Sequence, residues 1–281
     1  MRRREFLAGG ALAAAGCASA QPTTGLTADF GRTRYHTAPD GVRIAFRDSG
    51  QKDRPAILFC SGHGNAMAVW NAVVNPLAAK YRVVLHDRRG SGESDLGAQE
   101  THTFESFRND ALGVIDDVGL QRVTVCGQAF GSRVAVRIAL DSPARTNGLI
   151  LFDATGGPAA PESVRRAGAE EAARLRAAAG LPAIERDPAW TANRNTSGDD
   201  FNWRALTGLP AWIKGLETIR VPTLIALGEQ DPNLEGGRQM AREIPNAQFE
   251  LMPMTGHGSN WQRPYLVFSL IDKFLSSKFR I

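Results

Sequence analysis

The sequence predicts an α/β protein: a mostly parallel sheet with helices on both faces. Three observations carry that reading. Apolar runs such as "AILFCSG" (56–62), "RVTVCG" (122–127), "GLILFDA" (148–154) and "PTLIALG" (222–228) are continuous rather than alternating, as in strands covered on both faces. Segments with helical spacing lie between these runs, and such alternation of β and α units builds a parallel sheet. The chain has 281 residues, 43 % hydrophobic and 22 % charged, an ordinary balance for one large domain.

The first twenty residues, "MRRREFLAGGALAAAGCASA", have a basic start, a short apolar run and a small-residue end, the pattern of an export signal. "RREFL" is similar to a twin-arginine signal, the type used for export to the periplasm. "AAGC" resembles a lipoprotein box that would anchor the protein to a membrane through Cys17, and "ASA" ending at Ala20 would equally suit plain cleavage. Residues 21–30 are expected to be a linker, followed by one domain over 31–281. Within it "RTRYHTAPDGVRIAFRDSG" predicts a hairpin turning at Pro39-Asp40-Gly41. A helix is expected up to about Lys80, followed by the strand in "YRVVLHDRRG" (81–90). "TFESFRNDALGVIDDVGL" places Phe104, Phe107, Ala111, Leu112, Ile115 and Val118 on one helical face and stops at Gly119. A further helix runs from Gly131 to Leu140. After Ala154 the rhythm breaks: residues 155–218 form an insertion with Gly/Pro-rich stretches, an Ala/Arg/Glu helix and Trp190, Trp203 and Trp212. Its place after a strand end predicts a small helical cap over a ligand site. The charged helix "RRAGAEEAARLR" (165–176) reads as a solvated face. The strand-like segments "PTLIALG" and "AQFELMP", each followed by a helix, close the domain.

The formal charge is +4, and half of it lies in Arg2, Arg3, Arg4 and Glu5. So weak a bias implies neither nucleic acid nor an anionic membrane as partner. "GQAFGS" lacks the lysine of a phosphate loop, and there is no dinucleotide fingerprint or zinc-ligand spacing, so neither cofactor nor metal is expected. Cys60 and Cys126 fall in strand-like runs and are expected to be buried small hydrophobes rather than a disulfide.

Four further segments, in order, resemble the α/β-hydrolase superfamily: "SGHG" (Ser61–Gly64), "HDRRGSGESD" (His86–Asp95), "GQAFG" (Gly127–Gly131), and the pair "GEQDPN" and "MTGHG". The resemblance runs from about residue 33 to the end. It implies an α/β-hydrolase fold with an eight-stranded sheet and a cap after the sixth strand. "GQAFG" has the glycine frame of the G-x-S-x-G nucleophile elbow with Ala129 in place of serine. The same resemblance makes Asp231 the acid and His257 the base. It puts the amides of Phe130 and His63 at the oxyanion position, with Gly62 and Gln128 beside the pocket. Asp153, at the other strand end where this fold keeps an acid, is the backup, and Asp87 and Arg88 brace the site.

What replaces the missing hydroxyl is open on the sequence. His257 could activate water or deprotonate a small activated ester, lactone or related carbonyl substrate without a covalent intermediate, giving hydrolysis, a lyase-type step or an isomerisation. Cys126, Cys60, Ser61 or Ser132 could substitute as nucleophile; both thiols are expected to lie close together below the pocket, buried and inert. The protein could bind a small molecule without converting it. It could also be a serine hydrolase carrying a Ser-to-Ala substitution at 129.

Overall fold

A computed structural model describes residues 30–278. Among them, eight strands join in one sheet: β1 (Arg34–Thr37), β2 (Arg43–Asp48), β3 (Ala56–Cys60), β4 (Arg82–His86), β5 (Val123–Gln128), β6 (Thr146–Phe152), β7 (Thr223–Gly228) and β8 (Gln248–Met252). Their order across the sheet is β1-β2-β4-β3-β5-β6-β7-β8. β2 pairs antiparallel with β1 and β4, and the remaining pairings are parallel. This is the α/β-hydrolase fold expected from the sequence.

Period-two alternation assigns each strand residue to a face. Leu58, Val125, Leu149 and Leu151 join one core, which α2 (Phe104–Asp117), α3 (Phe130–Asp141) and α7 (Leu234–Glu243) cover with Phe107, Ala111, Val134, Ile138 and Met240. Ile57, Phe59, Ile150 and Phe152 join the other, covered by Val74 and Leu77 of α1 (Asn71–Leu77) and Ile271 and Phe274 of α9 (Pro264–Lys278). The same alternation corrects the expected placement of the two thiols. Cys126 pairs with Phe59 and Cys60 with Gly127, so the cysteines are one register step apart and belong to opposite cores. Both are unpaired and buried.

The expected export signal, with Cys17, lies outside the described residues. So does the expected linker except for its last position: Phe30 is 2 % exposed and packed in the α1/α9 core, so that residue belongs to the domain rather than to a linker. Among the described residues no helix is long and apolar enough to cross a membrane.

Between β6 and β7 the chain leaves the sheet and forms α4 (Glu162–Ala178), α5 (Pro188–Ala192) and α6 (Asp199–Thr207). Polar contacts tie this segment to the loops after β3 and β4. Gly198 N donates to Gly90 O at 3.0 Å, Trp190 Nε1 to Asn65 Oδ1 at 3.0 Å, and His102 Nδ1 lies 3.0 Å from Asn202 Oδ1. The "HDRRGSGESD" loop braces from below: Asp87 accepts from Met67 N at 2.6 Å and Glu93 N at 2.9 Å, and Arg88 donates to Ser61 O at 3.1 Å. The charged α4 departs from the solvated helix expected there, because Ala172 and Arg176 are buried and Arg165 faces inward, as described below.

The turn from β5 to α3 is sharp and closely packed. Ala129, at its apex, has φ 50° and ψ −109°, a conformation that costs a non-glycine residue about 1–3 kcal/mol. Its amide donates to Phe152 O at 2.9 Å. The flanking glycines are compulsory on steric grounds: a Cβ on Gly127 would meet Gly131 O at 2.4 Å, and one on Gly131 would meet Cys60 O at 2.0 Å. Backbone cannot yield as a side chain can. Gly131→Ala is therefore expected to destabilise at or beyond the upper end of the about 1–3 kcal/mol typical of overpacking. Gly208→Ala, where the nearest atom is 3.5 Å away and φ is −78°, should change the denaturation midpoint little. Equal midpoints for the two variants in urea would refute the steric account.

Candidate active site

The loop after β7 carries Asp231 and the loop after β8 carries His257. Asp231 is fixed from its own loop, where Asn233 N donates to its Oδ1 at 2.9 Å. His257 Nδ1 lies 3.2 Å and 3.1 Å from the two carboxylate oxygens. A carboxylate only accepts, so Nδ1 carries the proton and Nε2 keeps its lone pair. The Asp231 side chain is fully buried, while His257 retains 17 % exposure and lines a cavity. Burial alone would lower the His257 pKa; the Asp231 hydrogen bond and charge, with a smaller contribution from Asp153, outweigh it and raise the pKa above its ordinary value.

Asp153, the backup acid of the sequence reading, belongs to the same cluster. It sits at the end of β6 with φ 52° and is wholly buried. Its Oδ2 accepts from Gln128 Nε2 at 2.7 Å, Gly258 N at 3.0 Å and Ser259 N at 2.9 Å, while Oδ1 has no partner. Burial and the neighbouring Asp231 charge push its carboxyl above the usual range. Ligand atoms of Asp153, Asp231 and His257 all lie within 4.8 Å of one another, so these three residues are where a cation could be held. Most of their polar atoms are already tied into a hydrogen-bond network, with Asp153 Oδ1 left unpartnered.

The cavity, of about 450 Å³, is lined by Ala129, Phe130, Gln128, His63, His257 and Asp153, with Trp203 and Trp261 on its walls. That volume suits a small molecule. Phe130 begins α3, whose first amides sit at the positive end of the helix dipole; that of Ser132 turns back to Ala129 O at 3.1 Å. The Phe130 ring stacks on Phe104 with centroids 4.9 Å apart and lies under the Arg88 guanidinium at 4.3 Å. Gly62 leaves room for Gln128, whose Oε1 would lie 2.2 Å from a Cβ there. His63 turns Nε2 to Asp199 O at 2.9 Å, and burial lowers its pKa, so it faces the cavity neutral. Trp203 meets the His63 ring edge-on at 5.6 Å. Trp190 instead packs on Trp261, and Trp212 donates to Glu243 at 2.8 Å. The other nucleophile candidates are occupied or shielded. Ser132 Oγ donates to Phe152 O at 3.0 Å and Ser61 Oγ to Ala66 O at 3.4 Å; burial pushes the Cys60 thiol up to about 12 and also raises the Cys126 thiol well above its ordinary value.

Two features escaped the sequence reading. Gln262 Nε2 donates to His257 O at 2.6 Å and its Oε1 accepts from Gly256 N at 2.9 Å, bracing the histidine loop; no motif marks it. Arg133, Arg165, Arg166, Arg186 and Arg194 also line the cavity, although their helical and loop contexts read as surface.

The His257 imidazole should titrate above 6.5 in NMR spectra. Asp231→Asn removes the larger of the two carboxylate charges that oppose burial, so the titration midpoint should then fall. An unchanged midpoint in that variant would disprove the pairing.

Comparison with known proteins identifies the family. The profile of the Alpha/beta hydrolase family matches residues 57–269. The chain is 25 % identical over 261 residues to 3-oxoadipate enol-lactonase 1 of Acinetobacter baylyi, covering 86 % of this chain and 96 % of that protein. It is 27 % identical over 280 residues to the 2-hydroxy-6-oxononadienedioate/2-hydroxy-6-oxononatrienedioate hydrolase of Cupriavidus pinatubonensis, covering 89 % and 97 %. The solved enol-lactonase of Burkholderia xenovorans shares the fold with a TM-score of 0.71 at 22 % identity, covering 86 % of this chain and 100 % of that one. With a match extending from β3 into α9, the chain belongs to the alpha/beta hydrolase family.

Proposed function

We propose that this protein hydrolyses a small activated ester or lactone by general-base catalysis, with no acyl-enzyme intermediate. The observation that carries this reading is the His257–Asp231 pair opening on a cavity whose strained apex, Ala129, offers only a methyl group. In this scheme Nε2 of His257 takes a proton from water as the water oxygen bonds to the substrate carbonyl carbon. The carbonyl electron pair moves onto its oxygen, which is held by the amides of Phe130 and His63. Collapse of that adduct breaks the bond to the leaving oxygen, which takes the proton back from His257. General-base assistance contributes about 10²–10⁴-fold and an oxyanion donor about 10²–10³-fold, enough for an activated carbonyl. Residues 155–218 act as the cap over this site. The lactone named for the Acinetobacter relative supports the substrate class.

The serine hydrolase carrying Ser-to-Ala at 129 is the second reading, favoured by the φ of 50° at Ala129, which a methyl group does not exploit. We also propose export, with residues 1–20 as the signal and Cys17 as an anchor, on the strength of "RREFL" and "AAGC".

With p-nitrophenyl acetate or a lactone as substrate, His257→Ala is expected to lower kcat/KM by about 10²-fold or more. Wild-type kcat/KM should rise with pH through a midpoint above 6.5, because only neutral His257 accepts a proton and its pKa is raised. Mass spectrometry during turnover should find no covalent adduct. A trapped acyl group, or wild-type rates in His257→Ala, would overturn the mechanism. A large gain in ester hydrolysis from Ala129→Ser would instead establish the second reading.

A further inference from the structure

Among the described residues, the cavity wall presents five arginines against three acids, Asp153, Glu162 and Asp199. The arginines differ in how they are satisfied. Arg166 lies 3.9 Å from Glu170 on the surface. Arg194 donates to Gly64 O at 2.9 Å, and Arg186 lies over Trp190 and Trp261 at 5.1 Å and 4.9 Å. Arg133 and Arg165 stand apart. Arg133 is 6 % exposed and donates to Gly157 O; Arg165 is half-buried and donates to Ala160 O. Neither forms an ion pair among the described residues. Burial lowers both pKa values, Arg133 to about 10. The opposite charges nearest Arg165, Glu162 and Asp231, act on it only through space.

A buried guanidinium without a carboxylate is costly, and a protein normally pairs it. Here the two come from different elements. Arg133 lies one helical turn beyond Ala129 on α3, and Arg165 lies on the first turns of α4. Both reach the chamber that holds Ala129, His257 and the α3 amides. The missing counter-charge is one that a ligand would bring, and planar guanidinium forks match a carboxylate.

We propose that Arg133 and Arg165 form an anion subsite that seats a carboxylate of the substrate, beside the centre where its ester or lactone carbonyl is hydrolysed. This deepens the proposed hydrolase reading by naming its substrate class: an ester or lactone that also carries a free carboxylate. The α3 amides then receive the reacting carbonyl and the arginines hold the far end, which selects charged over neutral substrates.

The test reads binding, without turnover. Glutarate and adipate are titrated calorimetrically into the full chain, with dimethyl adipate as the neutral control. At least one dianion should bind tenfold or more tighter than the diester, and more weakly as salt is raised. Arg165→Gln should weaken that binding about tenfold or more, the usual scale for losing a charge-assisted hydrogen bond. Arg133→Gln should do the same, with its fold checked by thermal melting; because Arg133 is deeply buried, the half-buried Arg165 keeps the test decisive if that variant does not fold. Equal binding of diester and dianion, no binding of either dianion, or undiminished affinity in Arg165→Gln would overturn the subsite. The two readings fail separately. His257-dependent turnover of a neutral ester without dianion binding would leave the hydrolase and remove the subsite, while tight dianion binding with no ester turned over would do the reverse.

Discussion

One carboxylate oxygen holds this site together. Oδ2 of Asp153 accepts from Gln128 at the end of β5 and from the amides of Gly258 and Ser259 beside the histidine. Asn233, two residues after Asp231, donates to the Asp153 backbone carbonyl at 3.2 Å. The elbow, the acid loop and the base loop come from segments far apart in sequence, and Asp153 is where they meet. Charge-assisted hydrogen bonds of this kind are stronger than neutral ones, and in a dry interior they set positions tightly. The cost is a carboxylate buried beside Asp231, which appears as its raised pKa. Asp153 thus ties the backbone beside His257 to the end of β5, while Asp231 faces Nδ1 of the imidazole.

The strain at Ala129 fits the same logic. Backbone in this conformation persists only where the surroundings over-determine it, and they do so here. The amide is tied to Phe152 O, Gly127 sits against Gly131 O, and Gly131 sits against Cys60 O. The side chain at the apex plays no part in those contacts, so the turn stays formed around a methyl group. What the strain secures is the direction of the α3 N-terminal amides, which require no side chain to bind negative charge.

The fold was largely legible in the sequence because its determinants are local. Continuous apolar runs gave the strands, turn residues gave the β1–β2 hairpin, and ordered short motifs located Ala129, Asp231 and His257. The remainder depended on register and packing. The opposite facing of Cys60 and Cys126 follows from a one-residue offset between β3 and β5, which no single strand reveals. Arg165 read as solvated because α4 shows mixed charges along its length. It turns inward because α4 packs closely on the site loops: a Cβ on Gly168 would meet Gln230 O at 2.1 Å, and one on Gly256 would meet the Ala169 Cα at 2.7 Å. Those small residues were visible in the sequence, but what they abut was not.

This packing links the cationic wall to the base. Arg165 lowers the His257 pKa through space, while Asp231 and Asp153 raise it. The three act on one imidazole from different elements, so its basicity depends on whatever neutralises Arg165. A carboxylate seated against Arg165 cancels the opposing charge that Arg165 exerts on His257. On the proposed reading, then, His257 is a stronger base in the complex than in the empty protein. Recognition of the anion and activation of water become one electrostatic event, and a neutral analogue of similar shape forfeits both. This coupling follows from placing α4 directly on the acid and base loops. On the same reading, a site without a nucleophilic hydroxyl gains from the charged residues of α4.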